Sequence, residues 1–178
     1  MIIDMRLINT ETGLLEDIIG DDIPTYAILS HTWEKDEVSM QEFQHLTDPE
    51  FARDPKTKAG KAKAGYIKIQ ECVRLAKKKK MPYIWVDTCC IDKTSSADLT
   101  ESINSMYRWY ANSKVCFAYL ADVETGWKDA TTPPWEGSRW FTRGWTLQEL
   151  IAPRVVEFYN GFWLYLGAKH YYASFLSF

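Results

Sequence analysis

The segment RWFTRGWTLQEL at 139–150 contains the residue types best suited to chemistry in this sequence. Trp145 and Glu149 are four residues apart, so both lie on one face of a helix, with Arg143 near its start. Glu149 can therefore face a pocket with Trp145 above it, or form a surface ion pair with an arginine, and spacing alone leaves both readings open. The helix has further apolar residues that can point to the core: Leu147, Leu150 and Ile151.

A second polar cluster, SHTW at 30–33, directly follows a compact apolar run. Its hydroxyl, imidazole and indole groups could hydrogen-bond to a ligand and stack on it. The alternative is a turn in which Ser30 caps backbone N–H groups and Trp33 packs against its neighbours.

A third cluster, DTCCID at 87–92, follows the next apolar run. Asp87 and Asp92 could bind a cation or a ribose hydroxyl, or they could cap backbone N–H groups of a turn. Cys90 could act as a nucleophile if a base such as His31 lay beside it. A buried, inert thiol is the alternative, because the sequence shows no activating partner for Cys90.

These clusters lie at the ends of predicted strands in an alternating pattern. Apolar runs predict strands at Met5–Asn9, 25–30, 83–86, 114–120 and 155–159, with helices between most of them. The helix after DTCCID has a capping pattern at Ser95 and Asp98 and apolar residues at Leu99, Ile103, Met106, Tyr107 and Tyr110. Such alternation predicts an α/β fold with a parallel sheet flanked by helices, whose sites lie at the carboxyl ends of strands.

Composition limits the classes of function. The chain has 178 residues, 46% of them hydrophobic, with a net charge of −3 and a pI near 5.7, which argues against a nucleic-acid binder. No apolar run is long enough to span a membrane. The four cysteines form no CxxC pair, so reduced thiols in the cytoplasm are expected. With three histidines, a histidine-rich metal centre is not expected.

Three segments in order resemble the fungal heterokaryon incompatibility (HET) domain: YAILSHTW at 26–33, YIWVDTCCID at 83–92 and SRWFTRGWTLQELIAP at 138–153. The resemblance covers roughly 25–160 and implies one domain over 1–178. Residues 1–24 would then form an N-terminal strand and turn, and the aromatic tail 161–178 is expected to be an oligomer contact.

The resemblance implies a regulated cell-death function. HET domains are remotely similar to Toll/interleukin-1 receptor (TIR) domains, which have a flavodoxin-like sheet and of which some cleave NAD with a glutamate on a short helix. This similarity gives Glu149 that catalytic role, with NAD or a related nucleotide as substrate, no cofactor, and self-association on activation. The implied substrate-binding residues are Ser30, His31, Thr32, Trp33, Asp87, Cys90, Asp92, Arg143 and Trp145. The alternative is a non-enzymatic signalling module that acts by assembly.

Overall fold

A computed structural model describes residues 5–20, 22–124, 135 and 137–172 of the chain. The strands are β1 Met5–Asn9, β2 Leu15–Ile18, β3 Tyr26–His31, β4 Tyr83–Trp85, β5 Val115–Leu120, β6 Val156–Asn160 and β7 Tyr165–Ala168. The helices are α1 Met40–Thr47, α2 Pro55–Lys61, α3 Ala64–Lys78, α4 Asp87–Cys90, α5 Ser96–Asn112 and α6 Thr146–Ile151. Short 3-10 helices cover Pro49–Phe51, Arg139–Thr142 and Lys169–Tyr172. The predicted α/β class is confirmed.

The chain divides into two compact units. The first comprises the described residues up to Ala27 together with Trp33–Met106. Within it, β1 lies between β2 and β4 and runs antiparallel to both, with Ile8 opposite Leu15 and Ile84. The sheet order β2-β1-β4 continues to β3, which contributes its first two residues to this unit.

The second unit comprises Ile28–Thr32 and the described residues from Tyr107 onward. Its sheet order is β3-β5-β6-β7, with β5 and β6 parallel and β6 and β7 antiparallel. Aromatic rings fill its core, where Trp135 stacks on Phe158 with ring centroids 4.6 Å apart. The strand β7 was not predicted, and the antiparallel pairs at β1, β2 and β7 make the sheet mixed.

In the long helix α5, several apolar residues that were expected to face the core are exposed. In α5, Leu99, Ile103 and Tyr107 are exposed, while the small Ser102 and Ser105 are buried. The capping prediction holds in part, because the Ser95 hydroxyl accepts from the backbone N–H of Asp98 at 3.2 Å. The Asp98 carboxylate instead accepts from the backbone N–H of Asp92 at 2.8 Å and from the Arg6 guanidinium at 3.3 Å.

In α6 the buried residues are Thr146, Glu149 and Leu150, at spacings of three and four. Leu147 and Ile151 are 54% and 57% exposed, so the expectation that they point to the core is wrong. The face of α6 that turns inward therefore includes a carboxylate, whereas two large apolar residues face outward. Among the residues that the structure describes, no helix is long and apolar enough to cross a membrane.

Candidate functional site

The Glu149 side chain lies at the centre of a polar cluster in the second unit. Glu149 is only 3% exposed, and Arg143 binds it with two hydrogen bonds, Nη1 to Oε2 at 3.0 Å and Nη2 to Oε1 at 2.9 Å. The Ser30 hydroxyl donates a further hydrogen bond to Oε2. Paired, fork-like contacts of this kind fix the plane of a carboxylate. Glu149 thus forms an ion pair with an arginine, which was one of the two alternatives left open by the sequence. The pair is largely buried, however, and does not lie on the surface.

Ser30 reaches Glu149 because it lies near the carboxyl end of β3, a strand whose six residues are all buried. The Ser30 hydroxyl also accepts a hydrogen bond from the indole Nε1 of Trp140 at 2.7 Å. Trp140 is fully buried in the 3-10 helix Arg139–Thr142. No role was predicted for Trp140. Local spacing does not indicate its contact with Ser30, because the two residues are 110 positions apart.

Arg143 and Trp145 occupy the short connection from that 3-10 helix into α6. The Arg143 side chain is 21% exposed, so it is partly open to solvent although it binds Glu149. Trp145 caps the start of α6 with its backbone, and its carbonyl accepts from the Glu149 N–H at 3.2 Å. The indole of Trp145 is 50% exposed, which leaves much of its ring open to solvent.

His31 and Thr32 follow Ser30 in the chain. His31 is the last residue of β3 and is buried, while Thr32 is half-buried.

The structure brings together four residues of the second unit, Ser30, Trp140, Arg143 and Glu149, in one hydrogen-bonded cluster. We refer to these four residues as the Glu149 cluster.

The remaining predicted site residues lie in the first unit, where Trp33 and Asp87 contact each other. The Trp33 indole Nε1 donates to Asp87 Oδ2 at 2.7 Å, and Lys93 Nζ lies 3.9 Å from the centroid of its ring. Trp33 is nevertheless 51% exposed. A cation over an indole is a favourable contact, and it holds the ring in a fixed orientation. Lys93 carries no signal in the sequence that would have paired it with Trp33.

Asp92 and Cys90 have local partners in the first unit. Asp92 Oδ1 accepts from Gln41 Nε2 at 2.6 Å and from the Thr94 hydroxyl at 2.6 Å, and these hydrogen bonds lower the pKa of Asp92. Cys90 is 3% exposed, and its sulfur accepts from the backbone N–H of Val86 at 3.3 Å. The DTCCID segment therefore contains the short helix α4, and the side chains of Cys90 and Asp92 accept hydrogen bonds from residues close to them in the chain. Within the described part of the chain, no group of three or more acidic, histidine or cysteine side chains could hold a metal ion.

Asp122 fixes the start of the 3-10 helix that carries Trp140. Its carboxylate accepts from the Ser138 hydroxyl at 2.8 Å and from the backbone N–H of Arg139 at 2.7 Å. Desolvation alone would raise the pKa of Asp122, but the donors from Arg139 and Ser138 outweigh it and hold the pKa below its ordinary value of 3.8. Asp122 lies two residues beyond the end of β5, so its hydrogen bonds attach the 3-10 helix that carries Trp140 to the end of this strand.

Replacing Asp122 with asparagine is expected to reduce the loss of thermal stability that the protein shows as the pH falls into the acid range. A carboxylate whose folded pKa is lowered contributes stability above its unfolded pKa, and loses it as pH falls through the folded value. The melting temperature of Asp122→Asn should therefore lie below that of the wild type at pH 6–7, and the gap should narrow below pH 3.8. Thermal melts across this pH range, with the exposed Asp36→Asn as control, measure it. A gap of constant size at all pH values would contradict the expectation.

The geometry defines a class of protein: an α/β domain with a buried carboxylate, held by an arginine and a serine, near the carboxyl end of a strand. Residues 26–133, more than half of the chain, match the family model described as Heterokaryon incompatibility protein (HET). The chain belongs to the HET family, which confirms the resemblance read from its sequence.

A curated relative agrees with this assignment. The chain is 46% identical over 150 residues to the "Vegetative incompatibility protein HET-E-1" of Podospora anserina. The alignment covers 82% of this chain but 10% of the relative, so the chain spans about a tenth of that protein. No solved structure matches the chain. The family match ends at residue 133, before Arg143 and Glu149.

Proposed function

We propose that this HET domain is a cell-death effector of nonself recognition that cleaves NAD at the nicotinamide–ribose bond, with Glu149 at the reacting sugar. The observation that carries the proposal is the buried Glu149 carboxylate, oriented by Arg143 and Ser30 near a strand end. The incompatibility role rests on the family and on the name of the relative from Podospora anserina.

The chemistry of the bond suits a single fixed carboxylate. As the bond between the ribose C1′ and the pyridinium nitrogen breaks, its electron pair leaves with nicotinamide, which becomes neutral and needs no proton. Positive charge develops on the ribose, where a carboxylate stabilises it. Water then adds to C1′ and releases a proton to solvent. Glu149 would stabilise the charge and bind a ribose hydroxyl.

The contacts of Glu149 also suggest how a substrate would enter. An ionised carboxylate has about four acceptor positions. Arg143 and Ser30 occupy three of them, which leaves about one for a ribose hydroxyl. Arg143 is partly exposed and its guanidinium matches the geometry of phosphate oxygens. The pyrophosphate of NAD would therefore draw Arg143 toward itself and release carboxylate oxygens to the sugar.

The test is release of nicotinamide by the purified protein, measured by chromatography at low and at high protein concentration. NAD should be consumed, whereas NADH should not, because its dihydronicotinamide carries no positive charge and is a poor leaving group. Concentrated protein that leaves NAD intact, under conditions in which it self-associates, would refute the enzymatic function.

A second candidate function, assembly without catalysis, is favoured by apolar residues exposed in the second unit. Phe162, Leu164, Tyr165 and Tyr171 are 67%, 61%, 53% and 68% exposed. The turn between β6 and β7 is well fixed, because the Asn160 side chain accepts from the backbone N–H groups of Phe162 and Leu164 at 3.0 and 2.9 Å. Rigid, exposed apolar residues beside the last strand of a sheet are typical of protein contacts.

Replacing Phe162 and Tyr171 with glutamate is expected to weaken self-association about tenfold or more, since buried aromatic anchors carry most of the energy of such contacts. Sedimentation velocity over a concentration series measures the effect. The matched control is Ile67→Glu, because Ile67 is a 51% exposed apolar residue of α3 in the first unit. Cell killing that survives Glu149→Ala but falls with the Phe162 and Tyr171 changes would favour assembly over catalysis.

A further inference from the structure

We propose that Trp140 is a positioning residue for Glu149, which acts by fixing the Ser30 hydroxyl as a donor to the carboxylate. Its catalytic consequence rests on the proposed function, whereas the hydrogen-bond chain itself does not.

The chain from Trp140 to Glu149 has a fixed direction. An indole nitrogen can only donate, and a serine hydroxyl has one proton and two lone pairs. Because Trp140 Nε1 donates to Ser30 Oγ at 2.7 Å, it occupies a lone pair of that oxygen and leaves the single proton for Glu149. An ionised carboxylate cannot donate in return. Trp140 therefore sets which way the Ser30 hydroxyl points, and it acts on Glu149 through Ser30.

Trp140 is itself held from several sides. The Thr146 hydroxyl donates to its carbonyl, and its backbone N–H donates to the Ser138 hydroxyl at 3.3 Å. Its ring meets Phe141 and Phe158 edge to face, with centroids 4.8 and 5.9 Å apart. Thr146 lies on the same buried face of α6 as Glu149, so one turn of this helix holds both the backbone of Trp140 and the carboxylate that accepts the Ser30 hydrogen bond. A buried and fully partnered chain of this kind is rigid.

The role predicts a loss of kcat larger than the reduced ring volume alone would cause. Trp140→Phe keeps an aromatic ring and removes the N–H donor, so the Ser30 hydroxyl loses its fixed direction. We expect the kcat for nicotinamide release to fall about tenfold, roughly the effect of one hydrogen bond, with KM within about twofold. Ser30→Ala should cause a similar loss, and the double variant should lose about the same tenfold, because the two residues act through one hydrogen bond.

The matched control is Trp135→Phe. Trp135 is also a buried tryptophan of the second unit, and its ring stacks on Phe158 and meets Tyr172 edge to face. The same change of side chain there should leave kcat within about twofold. An equal loss of kcat in both tryptophan variants would overturn the positioning role and point to packing alone.

A spectroscopic test does not depend on catalysis. In ¹H–¹⁵N spectra, the cross-peak that disappears in Trp140→Phe identifies the Trp140 indole N–H. That cross-peak should shift in Ser30→Ala, which removes its acceptor, and also in Glu149→Gln, which changes the far end of the chain, while the Trp135 cross-peak stays in place. An unshifted Trp140 cross-peak in both variants would refute the chain. Shifts without any nicotinamide release would support the chain and refute the proposed function.

Discussion

Replacing Glu149 with glutamine is expected to abolish nicotinamide release, with a loss of about 10²–10³-fold or more in kcat, the range seen when a fixed electrostatic stabiliser is removed. The amide has nearly the shape of the carboxylate but no negative charge, so it cannot stabilise the positive ribose. Single-turnover assays at saturating NAD measure the loss directly. Activity that stays within about tenfold of the wild type would remove Glu149 from the reacting centre.

Folding must be checked alongside this result, because the amide also alters a buried cluster. The glutamine NH2 group would face a donor of Arg143, so one charge-assisted hydrogen bond is lost, at a cost of about 1–3 kcal/mol. Circular dichroism and a thermal melt show whether the variant is folded at the assay temperature. The matched control is Glu71→Gln, because Glu71 forms an exposed ion pair with Arg74 at 2.6 Å. That change should leave both kcat and stability nearly unaltered.

The sequence predicted well those features that depend on local spacing. The buried run of β3 and the short helix that follows Arg143 were both predicted from the spacing of residues, and the structure has both. A polar residue at the end of a buried strand is readily recognised, which is how Ser30 was singled out. The roles assigned to the site residues remain predictions.

Contacts between distant segments could not be predicted from spacing. Trp140 and Ser30 are 110 positions apart, and Ser30 and Glu149 are 119 apart, so only the folded sheet brings them together. Spacing also left open whether Glu149 faces solvent. Burial decided that question, because the buried face of α6 contains Glu149 rather than Leu147.

The structure gives the tryptophans near the predicted site different surroundings, which the sequence could not show. Trp33 and Asp87 belong to two separate clusters in the sequence, each after a predicted strand, and the structure shows a direct hydrogen bond between these two side chains. Trp145 was expected above Glu149, yet it lies half-exposed at the start of α6. The tryptophan within the Glu149 cluster is Trp140, which the sequence does not distinguish from a tryptophan of the core.

Replacing Arg143 with methionine is expected to destabilise the protein by about 2–4 kcal/mol, slightly below the 3–5 kcal/mol typical of breaking a fully buried ion pair. The reduction reflects the 21% exposure of the Arg143 side chain, which leaves part of the pair screened by water. Methionine keeps most of the apolar length of the side chain, so the loss comes mainly from leaving Glu149 buried without its charged partner. Urea denaturation at pH 7 measures the difference.

Removing the negative charge as well should restore much of that stability. In the double variant Arg143→Met with Glu149→Gln, no buried charge is left unpaired, and the Ser30 hydroxyl can still donate to the amide oxygen. We therefore expect the double variant to be more stable than Arg143→Met alone, with a coupling energy of about 1–3 kcal/mol in the thermodynamic cycle. Additive losses would show that Arg143 and Glu149 do not interact in solution, and the route by which a pyrophosphate would release Glu149 from Arg143 would then have no basis.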